Sequence, residues 1–262
     1  DRYFFLTEKK QEYFDYMKAQ IKELVRVYRT KILWFDGEWE EPWTHEMGQD
    51  MYRYVKSLDD DILINNRVDK GRADMEGFTK SDEYAGDFAT PEQQVGRFDT
   101  TTMWESCITI GTQWAWKPDD DIKSFEECIR LLVQTAGGDG NLLFNVGPKP
   151  DGTIDYRQVE RLREIGNWLE QYGESIYGTR GGPLEPKEWG VTTHKGDKVY
   201  LHILEPTEKI QIKDFPLEVT SARLINDGSG VTYEKNGKML DIVLAQTISE
   251  AVDYIVELSC KK

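Results

Sequence analysis

Along residues 11–28 the apolar positions Phe14, Met17, Ile21, Leu24, Val25 and Tyr28 recur at helical intervals, with charged residues between them, which predicts an amphipathic helix. The period then changes. Residues 31–39 read KILWFDGEW: Ile32 to Phe35 form the apolar run of a buried strand, Asp36 ends it and Gly37 turns the chain. Thr44 is placed to cap a second helix carrying Met47, Met51, Tyr54 and Val55 on one side, and residues 61–66 (DILINN) read as the next strand. Strand, helix, strand in this order implies a parallel βαβ unit. Residues 68–81 are polar and aperiodic and predict a long loop, as do residues 84–94 (YAGDFATPEQQ), broken by Gly86 and Pro91. Residues 108–116 (ITIGTQWAW) alternate, with Gln113 on one side and Trp114 and Trp116 on the other. Ser124 and Glu127 form a capping box for a helix through Phe125, Cys128, Ile129, Leu132 and Val133 that ends at Gly137 and Gly138. Residues 141–146 (NLLFNV) read as a buried strand, and Asp155 opens a helix stopped by Gly173.

Beyond Tyr177 the texture is different. Gly181, Gly182, Pro183 and Pro186 read as a linker, after which strands follow one another without helices at 198–204, 210–212, 222–225, 231–235, 238–244 and 253–258. Asn236 and Gly237 between two of them are a hairpin signal. This is the pattern of an antiparallel β-sandwich.

Composition narrows the functions open to such a chain. At 262 residues with 39% hydrophobic content there is room for one large domain or a large and a small one. A formal charge of −15 leaves no basic excess for nucleic acid or an anionic membrane. No apolar run approaches the roughly 18 residues that a bilayer requires, and no charged-then-apolar leader opens the chain. Cys107, Cys128 and Cys260 lack metal-ligand spacing, and with only three histidines no histidine or cysteine metal site is expected.

The eight tryptophans are more informative, because Trp34, Trp39, Trp43, Trp104, Trp114 and Trp116 lie near candidate acids, a combination suited to stacking on sugar C–H faces. Each alone is more often simply a core residue, and it is the grouping with acids that points to a site. Asp36 stands where parallel α/β folds place reacting groups, or it begins a turn. Arg67 follows the second strand and would share that rim, as a substrate-holding group or as a loop arginine. Asp87 and Glu92 sit in a loop that presents side chains or caps turns. Two carboxyl groups facing one another among tryptophans are what glycoside hydrolysis requires.

LWFDGEW, NNR, GDFATPEQ, MWES and GNLLFNVGPKPDGTI, in that order and ahead of a β-sandwich, resemble the α-L-fucosidases of glycoside hydrolase family 29 over essentially the whole chain. The resemblance implies an α/β fold: the C-terminal portion of a (β/α)8-like barrel over 1-180, then a β-sandwich over 187-262. It implies a retaining exo-glycosidase that releases terminal α-L-fucose from glycoconjugates with no metal or organic cofactor. Asp36 matches the nucleophile, and Glu92 the acid/base, with Asp87 in reserve because some members carry the acid there. By the same matching Trp34 and Arg67 contact fucose, Trp114 lines the pocket for its methyl group, and Trp104 and Glu105 belong to the binding site. Family members carry about half a barrel ahead of this point, with a histidine pair and a Glu-Trp or His-Trp pair that grip fucose hydroxyls, and residues 1–35 supply neither. The barrel is therefore expected to be completed by a preceding segment of the same protein or by another copy, since a half barrel leaves open sheet edges. The resemblance points to a secreted, periplasmic or lysosomal address and to fucosylated oligosaccharides or glycoproteins as partners. The rival expectations are a fucose-binding or structural module without turnover, and a retaining glycosidase for another sugar.

Overall fold

The computed structural model describes residues 9–205, 207–244 and 251–261, and its backbone divides into two compact units. The first comprises Asp1–Glu92 and Thr102–Glu105, the second Gln93–Thr101 and Ser106–Lys262.

In the first unit, helix α1 (Lys10–Arg26) turns Phe14, Ile21 and Val25 inward, the face its apolar spacing predicts. Strand β1 (Ile32–Leu33) follows, then α2 (His45–Leu58), whose first turn is closed by the Thr44 hydroxyl accepting from the Met47 amide at 3.3 Å. Strand β2 (Leu63–Ile64) pairs with β1 in parallel, Ile32 opposite Leu63 and Leu33 opposite Ile64, as the βαβ reading requires. Both strands are shorter than their apolar runs. From Phe35 on, the Asn65 side chain replaces the ladder, accepting from the Phe35 amide and donating to its carbonyl, both at 2.9 Å. Met51, Val55, Ile62, Ile64 and Val68 are fully buried with Phe14, Ile21, Val25 and Leu33 in one core; each such side chain contributes about 1.5–3 kcal/mol. The 84–94 segment is more extended than a plain loop. Phe88 bridges Asn65 and Ala89 bridges Trp104, both in parallel, so this segment extends the parallel pairing begun by β1 and β2.

In the second unit, β3 (Glu105–Thr109) pairs with β4 (Asn141–Asn145), with α3 (Phe125–Gly137) between them in sequence and α4 (Tyr156–Tyr172) after them. The capping box forms as read: Ser124 Oγ accepts from the Glu127 amide at 3.1 Å and Glu127 Oε2 from the Ser124 amide at 2.6 Å. The alternation at 108–116 is strand only at Ile108 and Thr109, the end of β3. Asp120 gathers the Thr112 amide and hydroxyl and lies so close to Gly111 that a Cβ there would meet its Oδ2 at 2.0 Å, so the chain bends after Ile110. Strand β4 is half exposed rather than buried, Leu143 retaining 42% of its surface.

The stretch read as a linker enters a sheet. Strand β5 (Arg180–Gly181) forms its edge, followed by β6 (Gly190–Lys195), which the sequence reading did not assign, and β7 (Lys198–Ile203). With β9 (Glu218–Leu224) and β12 (Tyr254–Lys261) they make a five-stranded antiparallel sheet in the order β5-β6-β7-β12-β9. Strands β8 (Lys209–Ile212), β10 (Thr232–Asn236) and β11 (Met239–Val243) make a second antiparallel sheet, order β10-β11-β8. Alternate residues of β7 and β12 face two different cores. Val199, Leu201, Ile203, Val256 and Leu258 share a core with Ile210, Ile212, Leu240 and Ile242, while Tyr200 and Ile255 pack with Ile129, Val133 and Trp168 of the helices. The hairpin register differs by one residue from the reading: Asn236 pairs with Met239, so the loop is Gly237 and Lys238, with Gly237 at φ +60°.

Candidate active site

The end of β1 and the turn after it bring two acids forward. Gly37, at φ +100°, reverses the chain between Asp36 and Glu38. Two basic residues from the segment after β2 take one acid each. Arg67 Nη1 donates to Asp36 Oδ1 at 2.9 Å, and Arg72 Nε donates to Glu38 Oε1 at 2.5 Å. Both guanidinium groups then meet Glu92. Arg67 Nη2 donates to Glu92 Oε2 at 2.7 Å, and Arg72 Nη1 stands 3.8 Å from the same oxygen. The Arg67 fork is completed by Nε, which donates to the Thr90 hydroxyl at 3.0 Å, and its face lies 4.8 Å from the Trp34 ring.

Exposure separates these groups. The Arg67 side chain is 3% exposed and that of Glu92 17%, whereas Asp36 keeps 61% of its side-chain surface and lines a cavity of about 140 Å³ with Glu38, Arg67, Phe35, Trp43 and Tyr13. One buried cation therefore holds two carboxylates side by side on adjacent nitrogens, one open to the cavity and one mostly enclosed. Asp36 Oδ2 and Glu92 Oε1 accept no hydrogen bond among the described residues.

The hairpin around residues 71–80 secures this arrangement. Arg72 bridges Thr79, Arg72 also donates to the Asp74 carbonyl, and the Met75 carbonyl accepts from the Glu92 amide at 2.9 Å. Gly77, at φ +74°, lies against the chain just before Glu92, where a Cβ would fall 2.1 Å from the Thr90 carbonyl carbon. The segment bearing Arg67 is gripped from α2. The Trp43 indole donates to the Val68 carbonyl at 3.0 Å, and Asp69, fully buried, accepts from the Lys70 and Ala85 amides and from His45 Nδ1 at 2.9 Å. Its hydrogen bond to Asp69 raises the pKa of His45 above the ordinary imidazole value, against the opposing effect of burial.

Of the residues singled out by sequence, Asp36, Arg67, Glu92 and Trp34 come together. Glu105 joins them through Trp34, whose indole donates to Glu105 Oε1 at 2.9 Å. Trp104 is 2% exposed and packs against Phe78, so in this structure it offers a sugar no surface. Asp87 belongs to a different cluster: it accepts from the Tyr52 hydroxyl at 2.7 Å and the Ile64 amide at 2.8 Å and pairs with Lys56 at 3.0 Å. Burial, and then Asp87, push the Tyr52 phenol far up. Trp114 lies in the second unit, 42% exposed, with its carbonyl accepting from Asn145. Trp116 donates its indole N–H to Asp155, the cap of α4. Sequence reasoning missed Glu38, Arg72 and Thr90. Glu38 stood inside the KILWFDGEW stretch, two residues from Asp36, while nothing periodic marks Arg72.

Three sets of comparisons bear on this site. A family model described as alpha-L-fucosidase matches residues 3–174. The human plasma alpha-L-fucosidase is 30% identical over 85% of this chain and 50% of its own length, and a Branchiostoma floridae alpha-L-fucosidase 30% over 73% and 44%. Alpha-L-fucosidase isoenzyme 1 of Paenibacillus thiaminolyticus superposes with a TM-score of 0.81 at 30% identity, over 96% of this chain and 63% of that one. The alpha-fucosidase of Thermotoga maritima in complex with fucose does so with a TM-score of 0.72 at 28%, over 94% and 56%. The chain thus spans about half the length of the curated relatives it matches.

Proposed function

The chain belongs to the alpha-L-fucosidase family, and we propose from this that the protein is a retaining exo-glycosidase that releases terminal α-L-fucose from fucosylated oligosaccharides or glycoproteins. The observation that carries the proposal is the single Arg67 guanidinium shared by Asp36 and Glu92. In the proposed first step Asp36, through Oδ2, attacks the anomeric carbon while the bond to the leaving oxygen breaks and Glu92 gives that oxygen its proton. Glu92 must therefore carry a proton when substrate binds. In the second step water adds to the anomeric carbon, its proton goes to Glu92, and the ester to Asp36 breaks to give fucose and the free carboxylate. Glu92 is preferred to Asp87 as acid/base because Asp87 is committed to Tyr52, Lys56 and the Ile64 amide.

Around these two acids the proposal keeps Arg67 and Trp34 as fucose contacts and Glu105 as the residue that orients Trp34. Trp104 serves from behind the site, as packing. The architecture proposed with it is the C-terminal portion of a (β/α)8-like barrel over 1-180 and a β-sandwich over 187-262. The parallel β1-β2 pair and the core shared by the two antiparallel sheets support this.

The test is chromophore release from an aryl α-L-fucoside. Turnover that drops by orders of magnitude in both Asp36→Ala and Glu92→Ala, and far less in Asp87→Asn, supports the assignment. Near-normal activity in Asp36→Ala ends it, fucose binding without release indicates a binding module, and preference for another aryl glycoside reassigns the sugar.

A further inference from the structure

Five charged side chains of the site alternate in sign, from Asp36 to Arg67 to Glu92 to Arg72 to Glu38. The functional reading uses three of them, and Arg72 and Glu38 are left over. Neither is a solvated surface charge. The side chain of Arg72 is 8% exposed and that of Glu38 6%, and Glu38 Oε2 is buried without a hydrogen-bond partner. Placing such a pair in the interior is costly unless the geometry around it is well satisfied. The backbone around them is nevertheless fixed. Arg72 stands at the base of the 71–80 hairpin, tied by its bridge to Thr79 and its bond to the Asp74 carbonyl, and Glu38 is set by the Gly37 turn.

The second observation concerns which oxygen of Glu92 is engaged. Both arginines approach Oε2, one as a 2.7 Å hydrogen bond and the other as a 3.8 Å ion pair, and among the described residues no hydrogen bond reaches Oε1. A carboxyl group that is to donate a proton must keep one oxygen free to carry it and aim it at the substrate. We propose that Arg72, oriented by Glu38, is a positioning residue for the acid/base: with Arg67 it pins Glu92 Oε2 and so leaves Oε1 as the oxygen that delivers the proton to the departing group. The inference rests on the fucosidase reading and extends it to two residues to which the motif matching gives no role. It also gives Arg72 a task distinct from that of Arg67, since Arg72 makes no contact with Asp36 and acts on proton delivery alone.

Proton delivery matters most when the leaving group is poor, so the test compares two substrates in one protein. For Arg72→Met, kcat/KM on methyl α-L-fucoside should fall roughly 30-fold, less than the roughly 10²–10⁴ that the acid itself supplies because Arg72 only positions it, while on 4-nitrophenyl α-L-fucoside it changes less than about 3-fold. Glu38→Gln should show the same selective loss, smaller in size, and Arg72→Lys should recover part of it by restoring the charge. Equal losses on both substrates, or no loss on either, overturn the inference while leaving the fucosidase reading standing. Should Arg72→Met fail to fold, Glu38→Gln and Arg72→Lys carry the same comparison. Absence of turnover in the unmodified protein removes the fucosidase reading and this inference with it.

Discussion

Arg67 donates from three nitrogens to three different acceptors, Asp36, Glu92 and Thr90, which a point charge cannot do. Arg67→Lys should therefore keep most of the stability and lose most of the activity, with kcat/KM on an aryl α-L-fucoside down about 100-fold, the scale expected when reacting groups are misplaced by about 1 Å. Arg67→Leu should in addition destabilise the fold by about 3 kcal/mol in a urea titration, because Glu92 is then left mostly enclosed without its main cation. The exposed Asp36 adds little to that figure, since water screens it. Equal loss of stability in both variants would show that the fork geometry is not what Arg67 contributes. At this scale the sequence is legible where residues lie inside short motifs: Asp36, Arg67, Glu92, Trp34 and Glu105 all do, and the structure brings them together. Glu38 escapes such reading because its setting depends on Arg72, 34 positions away in a stretch without period, and the burial of Trp104 is a property of the fold that its motif does not carry.

Elements were legible in proportion to their length and their caps. Helix α3 announced itself through Ser124 and Glu127, and Ser124→Ala should cost about 1 kcal/mol in denaturant, no more, because the cap is exposed and replaceable by water. The two-residue strands β1 and β2 were recognisable only through the apolar runs containing them, and the single bridges at Phe88 and Ala89 left no alternation to read. Strand β6 carried a β-branched run, Val191 to Thr193, but was hidden behind the Gly and Pro residues of the supposed linker. Gly77 shows the same limit from the other side. Its role follows from the Thr90 backbone packed against it, and Gly77→Ala should force the 71–80 hairpin away from Glu92. That substitution should lower stability by about 1–3 kcal/mol, the cost of a non-glycine residue at this φ, and lower turnover as well. A variant with unchanged urea midpoint would mean that the hairpin moves at no cost.

For the whole molecule the decisive variable is pH, because the chain carries a formal charge of −15 and its stabilising ion pairs titrate at opposite ends of the scale. In the second unit Asp155 caps α4 and accepts from the Arg157 side chain and amide and from the Trp116 indole. These hold its carboxyl well below the usual carboxylate range, the Arg157 side chain having the largest effect. A depressed folded pKa means stabilisation that is fully present above the ordinary value of about 3.9 and is lost as pH falls through the folded value. In the first unit His45 is raised by Asp69, so its contribution is fully present below about 6.5 and is lost as pH rises through the folded value. Asp155→Asn keeps a side chain that caps helices, and His45→Asn keeps a donor near the Nδ1 position, so each removes chiefly the charge. Melting temperatures of the two variants and the parent, measured across one pH series, should then converge on the parent at opposite ends: Asp155→Asn in acid, His45→Asn in base. High salt should narrow the His45 gap, because its ring is partly exposed and screened by ions. Gaps that stay constant across the series would assign both residues to packing and remove proton linkage as the source of the molecule's pH range.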